Sequence, residues 1–362
     1  MLVESVVTAK SIALVATNDA SNKIPYLGTA FFPEDSQEGI DLKYIKTHNG
    51  VSPILAPSNF DAIPVLRGRK GFRIEKTEMP FFREEMDVSE RDMVDIERIN
   101  SENDPYLRQV LKNIYDDTTN LVNSGIVVPE VMRMQLLAAP NGVPGITITG
   151  KDGVNYTYNY DPDGTYDDDN YLALSGTSEW SDATNSTPLD DINGAKKSLT
   201  DRGYAPKYIL MNGSTWAYLM KAKQIEKVLL TTNAAGTIYK TEAMIKTAIK
   251  EATGLEVLIY DKVYQGVNGT SEKFYPDNQI TILPEGALGK TMFGVTPEMR
   301  SARQVENVDV YVYGKGISVA TKKTYGPPYK FSTIASEIVL PSYERMDETF
   351  VIKVASGETP SA

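Results

Sequence analysis

The longest helical pattern in the sequence lies between Asp104 and Ala139. Asp104 and Pro105 form a typical helix start, an N-cap followed by proline at the first helical position. Gly125 permits a stop, and Pro129 opens a second helical pattern. The apolar residues that follow Pro105 with three-and-four spacing are Leu107, Val110, Leu111, Ile114, Tyr115, Leu121 and Val122. The pattern predicts a bent helical spine of about 35 residues, on the order of 45–50 Å long.

Extended patterns precede this spine. Residues 1–36 contain one short helical pattern, which indicates either a disordered tail or an arm that packs on a neighbouring subunit. Residues 40–45 alternate apolar and polar side chains, as a half-buried strand does. Two further extended runs, 63–66 and 72–75, flank a turn at 68–71 and predict a long two-stranded loop. Because a two-stranded ribbon is only marginally stable alone, this loop needs a partner surface.

Shorter elements surround the spine. A lead-in helix is predicted from residue 88 to 99, with Ser89 as its N-cap. After the spine, an Asp-Gly pair separates two alternating runs, 145–149 and 154–160, and predicts a hairpin. Residues 161–190 are polar and acidic, which indicates an exposed loop at a domain junction.

Residues 190–330 alternate helical and extended patterns, which predicts a compact α/β or α+β domain. Helices are predicted at 192–199 and 241–252, with Gly254 at the C-cap, and another after the Asn212 cap. Strands are predicted at 208–211, 255–260 and 279–284. Two final strands, 331–340 and 348–354, could return to the spine, and the last eight residues are small and polar.

Composition excludes several classes of protein. The chain has 362 residues, a length that allows two domains, and a net charge of −11. This balance disfavours tight binding of nucleic acid phosphates. Without cysteine and with His48 as the single histidine, the chain cannot form a disulfide, a thiol catalytic centre or a multi-histidine metal site. No apolar run approaches the roughly 18 residues of a membrane span, and no signal peptide is evident, so we expect a soluble protein that acts inside a cell.

A series of short motifs in the second half resembles a known family. The motifs occur in the order Ile209-Leu210-Met211-Asn212-Gly213-Ser214 with Trp216, Ile259-Tyr260-Asp261 with Tyr264, Phe274-Tyr275-Pro276-Asp277, Leu283-Pro284-Glu285-Gly286 with Leu288-Gly289, and Phe293-Gly294 with Thr296-Pro297-Glu298. This order is similar to that of the lambda-type, or E family, major capsid proteins of tailed bacteriophages. The first half agrees more loosely, through Tyr26-Leu27-Gly28, Phe31-Phe32-Pro33 and Gly39-Ile40-Asp41-Leu42, and Leu340-Pro341-Ser342-Tyr343 resembles the family's closing strand.

The resemblance implies an α+β fold of the Hong Kong 97 type. It would place an N-arm at 1–36, an extended loop at 37–85, a peripheral domain with the spine helix at 86–189, an axial domain at 190–330, and return strands with a tail at 331–362. The implied function is that of a phage or prophage major capsid protein. Its partners would be its own copies in pentamers and hexamers, packaged double-stranded DNA held non-specifically, and portal, scaffold or decoration proteins. The shell would assemble in the bacterial host cytoplasm and form the virion capsid.

Four residues are candidates for contacts between subunits. Arg69 and Lys70 lie at the predicted loop tip, where the alternatives are plain exposure to solvent and nucleic acid contact. Glu285 and Glu298 lie in turns rich in glycine and proline, and an enzyme would use them as a catalytic pair. We also expect Gly286, Gly289 and Gly294 to supply permissive backbone angles in these turns, which together carry few ladder hydrogen bonds.

Two other segments have weaker claims to a function. The acidic run from Asp161 to Asn170 partly imitates a calcium loop but lacks its closing glutamate, so we expect a solvated loop. The run from Asn212 to Ser214 could hold a phosphate, but it lacks a phosphate-loop lysine, which favours a helix cap.

Three hypotheses therefore stand: a major capsid subunit without catalytic or cofactor chemistry, a cargo-enclosing shell or other phage structural protein, and a cytoplasmic α/β enzyme. The enzyme is disfavoured because nucleophile-elbow, dinucleotide and metal-ligand motifs are absent from the sequence.

Overall fold

The computed structural model describes residues 25–46, 73–88, 90–91, 105–150, 155–232, 240–301, 308–324, 326 and 330–356. These residues form two compact units, each assembled from three segments of the chain. The first unit comprises the described residues within Met1–Lys43, Lys76–Arg133 and Gly289–Ser342. The second comprises the described residues within Tyr44–Glu75, Met134–Leu288 and Tyr343–Ala362.

The predicted spine is a single α-helix, Pro105–Ala138, which runs through Gly125 and Pro129 without a break. The predicted stop at Gly125 is therefore wrong. A Cβ at Gly125 would lie 3.2 Å from Cγ2 of Ile317, so this glycine allows the helix to approach a strand closely. The side chains of Leu111 and Ile114, which we expect on the buried face, lie outside the described residues.

A six-stranded sheet forms the centre of the first unit. Its strands are β1 (Glu34–Ser36), β4 (Phe81–Val88), β13 (Thr291–Gly294), β14 (Val308–Tyr313), β15 (Ile317–Thr324) and β16 (Lys330–Pro341). The order is β1-β13-β16-β15-β14, and β4 also pairs with β16. The same unit contains two short helices, α1 (Gly28–Phe31) and α8 (Pro297–Ser301). It also contains the spine helix, which we label α2, as far as Arg133.

A five-stranded sheet forms the centre of the second unit, in the order β7-β17-β12-β8-β9. Its strands are β7 (Tyr171–Ala173), β8 (Pro206–Met211), β9 (Glu256–Ile259), β12 (Gln279–Pro284) and β17 (Phe350–Lys353). The helices of this unit are α3 (Thr165–Asn170), α4 (Pro188–Asp201), α5 (Gly213–Lys221), α6 (Lys223–Thr232) and α7 (Glu242–Thr253).

One hydrophobic core joins helices and sheet in the second unit. It contains Trp180 near the start of the unit's helical segment, Ile192 of α4, Ile209 of β8, Trp216 of α5 and Ile249 of α7. The predicted C-cap is confirmed at α7, where Gly254 ends the helix at φ 73°, and Thr241 is its N-cap, accepting a hydrogen bond from Met244 N. Helices and strands alternate here because their apolar faces fill this single core.

Two-stranded ribbons complete the fold. The strand predicted at 40–45 is β2 (Asp41–Lys46), and it pairs with β3 (Arg73–Glu78). The predicted strand at 63–66 lies outside the described residues. The predicted hairpin is confirmed as β5 (Gly145–Thr149) and β6 (Asn155–Asn159), and a further ribbon pairs β10 (Val263–Gln265) with β11 (Ser271–Lys273).

Two sequence expectations differ from the structure at element ends. Val88 ends strand β4, where it pairs with Phe331, so the lead-in helix does not start at Val88. The two strands predicted near the C-terminus lie in different sheets. Strand β16 belongs to the sheet of the first unit, whereas β17 pairs with β12 and β7 in the second. The five predicted domain ranges stay a prediction.

Candidate functional site

A buried carboxylate on the spine helix holds the first described turn of the N-terminal segment. Glu130 is fully buried, and its Oε1 accepts a hydrogen bond of 2.9 Å from the backbone N of Gly28. A Cβ at Gly28 would lie 2.5 Å from Oε2 of Glu130 and 2.8 Å from Cδ of Arg133. Only glycine can therefore bring the backbone of α1 this close to the spine.

Arg133, one helical turn further along, connects three elements of the first unit. Its side chain is 2% exposed and donates through Nε to Thr291 Oγ1 at 2.8 Å. The two terminal nitrogens donate to Glu130 Oε2 at 3.3 Å and to Glu34 Oε1 at 3.1 Å. Thr291 Oγ1 in turn donates to the carbonyl of Phe32 at 3.0 Å. The fixed fork of guanidinium donors thus joins the spine, β13 and the arm strand β1.

A third glutamate lies near this cluster without a hydrogen bond. Glu337, on β16, is 2% exposed, and neither of its carboxylate oxygens has a hydrogen-bond partner. Burial raises the pKa of the Glu337 carboxyl well above its ordinary value, while Arg133 acts to lower it and Glu34 to raise it. We call Glu34, Glu130, Arg133 and Glu337 the arm-anchoring cluster. Sequence analysis missed it, because Glu34, the Glu130–Arg133 pair and Glu337 are far apart in the chain and no short motif carries them.

Three turn glycines differ in why they are needed. Gly286 has φ 89°, in the left-handed region, as expected. Gly289 and Gly294 do not have positive φ, so the expectation of permissive angles is wrong at both. Added Cβ atoms would instead collide with neighbours, with the Ser342 carbonyl at Gly289 and with Ile338 Cγ2, at 2.9 Å, at Gly294.

The segment around these glycines is also more regular than expected. Thr291–Gly294 is strand β13, which pairs in parallel with β1 and antiparallel with β16. The expectation of few ladder hydrogen bonds is therefore wrong for this part of the segment.

Glu298 is bound within its own unit. Its Oε1 lies 2.5 Å from the Arg83 guanidinium, and its Oε2 accepts a hydrogen bond of 2.7 Å from Ser336 Oγ. The Glu298 side chain is only 11% exposed. The carboxylate thus fastens α8 to strands β4 and β16.

Glu285 lies in the second unit and is far more accessible. Its side chain is 69% exposed, and its Oε1 lies 2.5 Å from Lys207 Nζ. This contact with Glu285 raises the pKa of the Lys207 ammonium. Arg345 donates to the backbone carbonyl of Glu285 at 3.2 Å and to that of Ala287 at 2.9 Å, which orders the turn.

Each of the two glutamates therefore has its own basic partner in its own unit. The other candidate contact residues, Arg69 and Lys70, lie outside the described residues, as does His48.

The acidic stretch is more ordered than the solvated loop we expected. Asp161 is 4% exposed, and its Oδ2 accepts a hydrogen bond of 2.7 Å from the backbone N of Tyr166 in α3. Asn170 is also buried and donates to the carbonyls of Asp347 and Thr349. The exposed members are Asp163, Asp167, Asp168 and Asp169. Among the described residues, no group of three or more acidic or histidine side chains is placed to hold a metal ion.

The segment from Asn212 to Ser214 caps a helix, as predicted. Asn212 Oδ1 accepts from Thr215 N at 2.9 Å at the start of α5. The adjacent N–H of Gly213 donates to Asp261 Oδ1 at 2.6 Å. Asp261 thus occupies the place where a bound phosphate would lie.

The chain matches the family model described as phage major capsid protein E over residues 12–315. The chain belongs to this family. This membership confirms the resemblance inferred from the short motifs. No curated protein sequence matches the chain.

Solved structures share the fold of this phage capsid protein. One is a phage-related protein from Bordetella bronchiseptica RB50, with a TM-score of 0.54, 13% identity and coverage of 96% of this chain and 97% of that one. Another is a candidate capsid protein of a prophage of Escherichia coli CFT073, with a TM-score of 0.57, 13% identity and coverage of 96% and 99%. The expected α+β fold of the Hong Kong 97 type is confirmed.

Family membership assigns the protein a structural role as a major capsid protein of a phage or prophage. In the part of the chain that the structure describes, no helix is both long and apolar enough to cross a membrane.

Proposed function

We propose that copies of this capsid protein assemble, as pentamers and hexamers, into a closed icosahedral shell that encloses double-stranded DNA. The observation that carries the proposal is the family match over residues 12–315. Assembly takes place in the cytoplasm of the bacterial host, and the shell becomes the virion capsid. Portal, scaffold and decoration proteins are further partners in this proposal.

The two-stranded ribbon of β2 and β3 supports the assembly proposal, because such a ribbon needs a further surface to be stable. Two paired strands without a third bury too little surface to be stable in water. A neighbouring subunit would supply the missing surface. In the proposed division, this ribbon belongs to the extended loop at 37–85, which follows the arm at 1–36. The proposed division also has a peripheral domain at 86–189, an axial domain at 190–330 and a return segment at 331–362.

The charge of the chain supports enclosure of DNA without tight binding. With a net charge of −11, the subunit offers no general attraction to phosphates. DNA would be held by the closed wall, and its retention would depend little on base sequence.

Four side chains are proposed as contacts between subunits: Arg69, Lys70, Glu285 and Glu298. Support is strongest for Glu285, because its side chain is 69% exposed and can reach a second partner while it contacts Lys207. Glu298 has less freedom, since Arg83 and Ser336 already bind its carboxylate.

Electron microscopy and sedimentation of the purified protein test the proposal. The expected result is closed shells, tens of nanometres across, each built from many copies of this one subunit. Shells recovered from phage-producing cells should contain nuclease-resistant DNA. Tubes, or monomers alone under every salt condition, would contradict shell assembly. Shells that contain a protein cargo and no nuclease-resistant DNA would instead favour a cargo-enclosing shell.

A further inference from the structure

In the arm-anchoring cluster, two carboxylates, Glu34 and Glu130, contact the Arg133 guanidinium, and a third, that of Glu337, has no partner of its own but lies close enough for Arg133 to act on its charge. Glu130 and Arg133 come from the spine helix, Glu34 from β1 and Glu337 from β16. If all three glutamates were ionised, one positive charge would face three negative charges. The remaining polar partner of Arg133 is the hydroxyl of Thr291, which carries no charge.

Glu337 is the member that cannot ionise without a rearrangement. Both of its oxygens are buried and lack a hydrogen-bond donor. An unpaired charge in such a position is strongly unfavourable, so the neutral, protonated carboxyl is favoured. The charged groups that act on Glu337 are Arg133, which favours its ionised form, and Glu34, which opposes it.

Glu34 is the partner that Arg133 can give up most easily. The Glu34 side chain is 34% exposed, so its carboxylate can regain water when it leaves the guanidinium. Glu130 is fully buried and also holds the backbone N of Gly28, so it has no such alternative. An ionised Glu337 would therefore compete with Glu34 for Arg133.

We propose that ionisation of Glu337 draws Arg133 away from Glu34 and so loosens the arm base, residues 28–36, from the spine helix. A single proton on Glu337 then controls how firmly the arm base is docked. This goes beyond assembly itself, because it concerns the arm of one subunit and is measurable without shells.

The direction of the pH effect follows from where the proton is held. The docked state holds a proton on Glu337 that the undocked state releases at an ordinary carboxyl pKa of about 4.3. Docking is therefore most favourable below that pH, weakens as the pH rises, and reaches its lower limit above the raised pKa of docked Glu337.

Hydrogen exchange of the full-length, unassembled chain tests the proposal. Protection factors, which are corrected for the intrinsic chemical rate, are compared between amides of 28–36 and amides of β12 from about pH 5 to pH 9. In the wild type, arm-base protection should fall by up to about tenfold per pH unit over part of this range, whereas β12 protection should not. Glu337→Gln should remove this dependence, and Glu298→Gln should retain it, because Glu298 of α8 contacts the same sheet outside the cluster.

Several outcomes would overturn the proposal. One is a wild-type arm base whose protection does not change with pH, and another is the same pH dependence in Glu337→Gln. Parallel loss of protection in β12 would show global opening instead of arm release. If Glu337→Gln does not fold, Glu337→Met, which has similar volume and no titratable group, answers the same question.

Discussion

Gly289 lies against the backbone carbonyl of Ser342, with no space for a Cβ atom between them. Two hydrogen bonds between Ser342 and Lys290, the residue after Gly289, also join the two segments. Ser342 N donates to the Lys290 carbonyl at 2.7 Å, and Lys290 N donates to Ser342 Oγ at 2.9 Å. Because the φ angle of Gly289 is not positive, proximity is what requires glycine here.

Gly289→Ala should therefore destabilise the folded chain although alanine can adopt the local backbone angles. We expect the free energy of unfolding to fall by about 1–3 kcal/mol, as for overpacked sites, and Gly289→Val to cost at least as much. Chemical denaturation of the unassembled chain measures both. The matched control is Gly194→Ala, in the interior of α4 with open space around the added Cβ, where we expect a gain of about 0.5–1 kcal/mol. Equal effects at the two glycines would contradict the proximity argument.

Arg133 should be among the most costly residues to replace in the first unit. Arg133→Met keeps most of the side-chain volume but removes the guanidinium that contacts the fully buried Glu130 carboxylate. Breaking a buried pair in this way costs about 3–5 kcal/mol of the free energy of unfolding. Denaturant titration at neutral pH measures the loss.

Glu34→Gln provides the matched comparison for Arg133→Met. Because the Glu34 side chain is 34% exposed, its loss should cost clearly less than that of Arg133. The double variant should be less destabilised than the sum of the two single variants, because both remove the same contact. Strict additivity, or a cost for Arg133→Met below about 1 kcal/mol, would show that the contact contributes little.

The outcome for Arg133 and Glu337 shows what sequence patterns can and cannot predict. The Gly254 cap and the pairing of the two strands that flank the Asp-Gly pair are predicted from local signals, and the structure confirms both. Glu337 lies in a strand buried on both faces, so no alternation of polar and apolar residues marks its side. Its neighbours Arg133 and Glu34 are distant in the chain and come together only through the fold.

Gly125 and Gly289 illustrate a second limit. A glycine in sequence permits either an unusual backbone angle or a close approach, and the two are distinguished only by the neighbour that packs on it. At Gly125 the neighbour is Ile317, and at Gly289 it is Ser342. Both glycines were expected to shape the local backbone, and both instead make room for a distant segment.

Glu285→Gln and Glu298→Gln should separate contacts between subunits from contacts within one. Glu298→Gln should lower the free energy of unfolding by about 1–2 kcal/mol, because a nearly buried carboxylate loses its charge beside Arg83 and Ser336. Glu285→Gln should leave the stability of the unassembled chain unchanged, since its ion pair with Lys207 is exposed. Denaturation and shell yield by sedimentation are measured for both variants. Normal shell yield in Glu285→Gln would remove Glu285 from the proposed contacts.

Reversing the charge of both Arg69 and Lys70 to glutamate should reduce shell yield and leave the unassembled chain as stable as the wild type. Residues 66–76 carry five basic side chains, Arg67, Arg69, Lys70, Arg73 and Lys76, in a chain whose net charge is −11. Such a segment is attracted to the acidic surface of a neighbouring copy, and the attraction weakens over a Debye length of about 8–10 Å at physiological salt. Shell yield by sedimentation, measured at low and high salt, should therefore fall in the variant most clearly at low salt. The control reverses two exposed lysines elsewhere, Lys197 of α4 and Lys221 of α5, and so changes the net charge equally. If this control lowers the yield as much as the Arg69 and Lys70 variant does, overall charge and not a contact at the loop tip controls assembly.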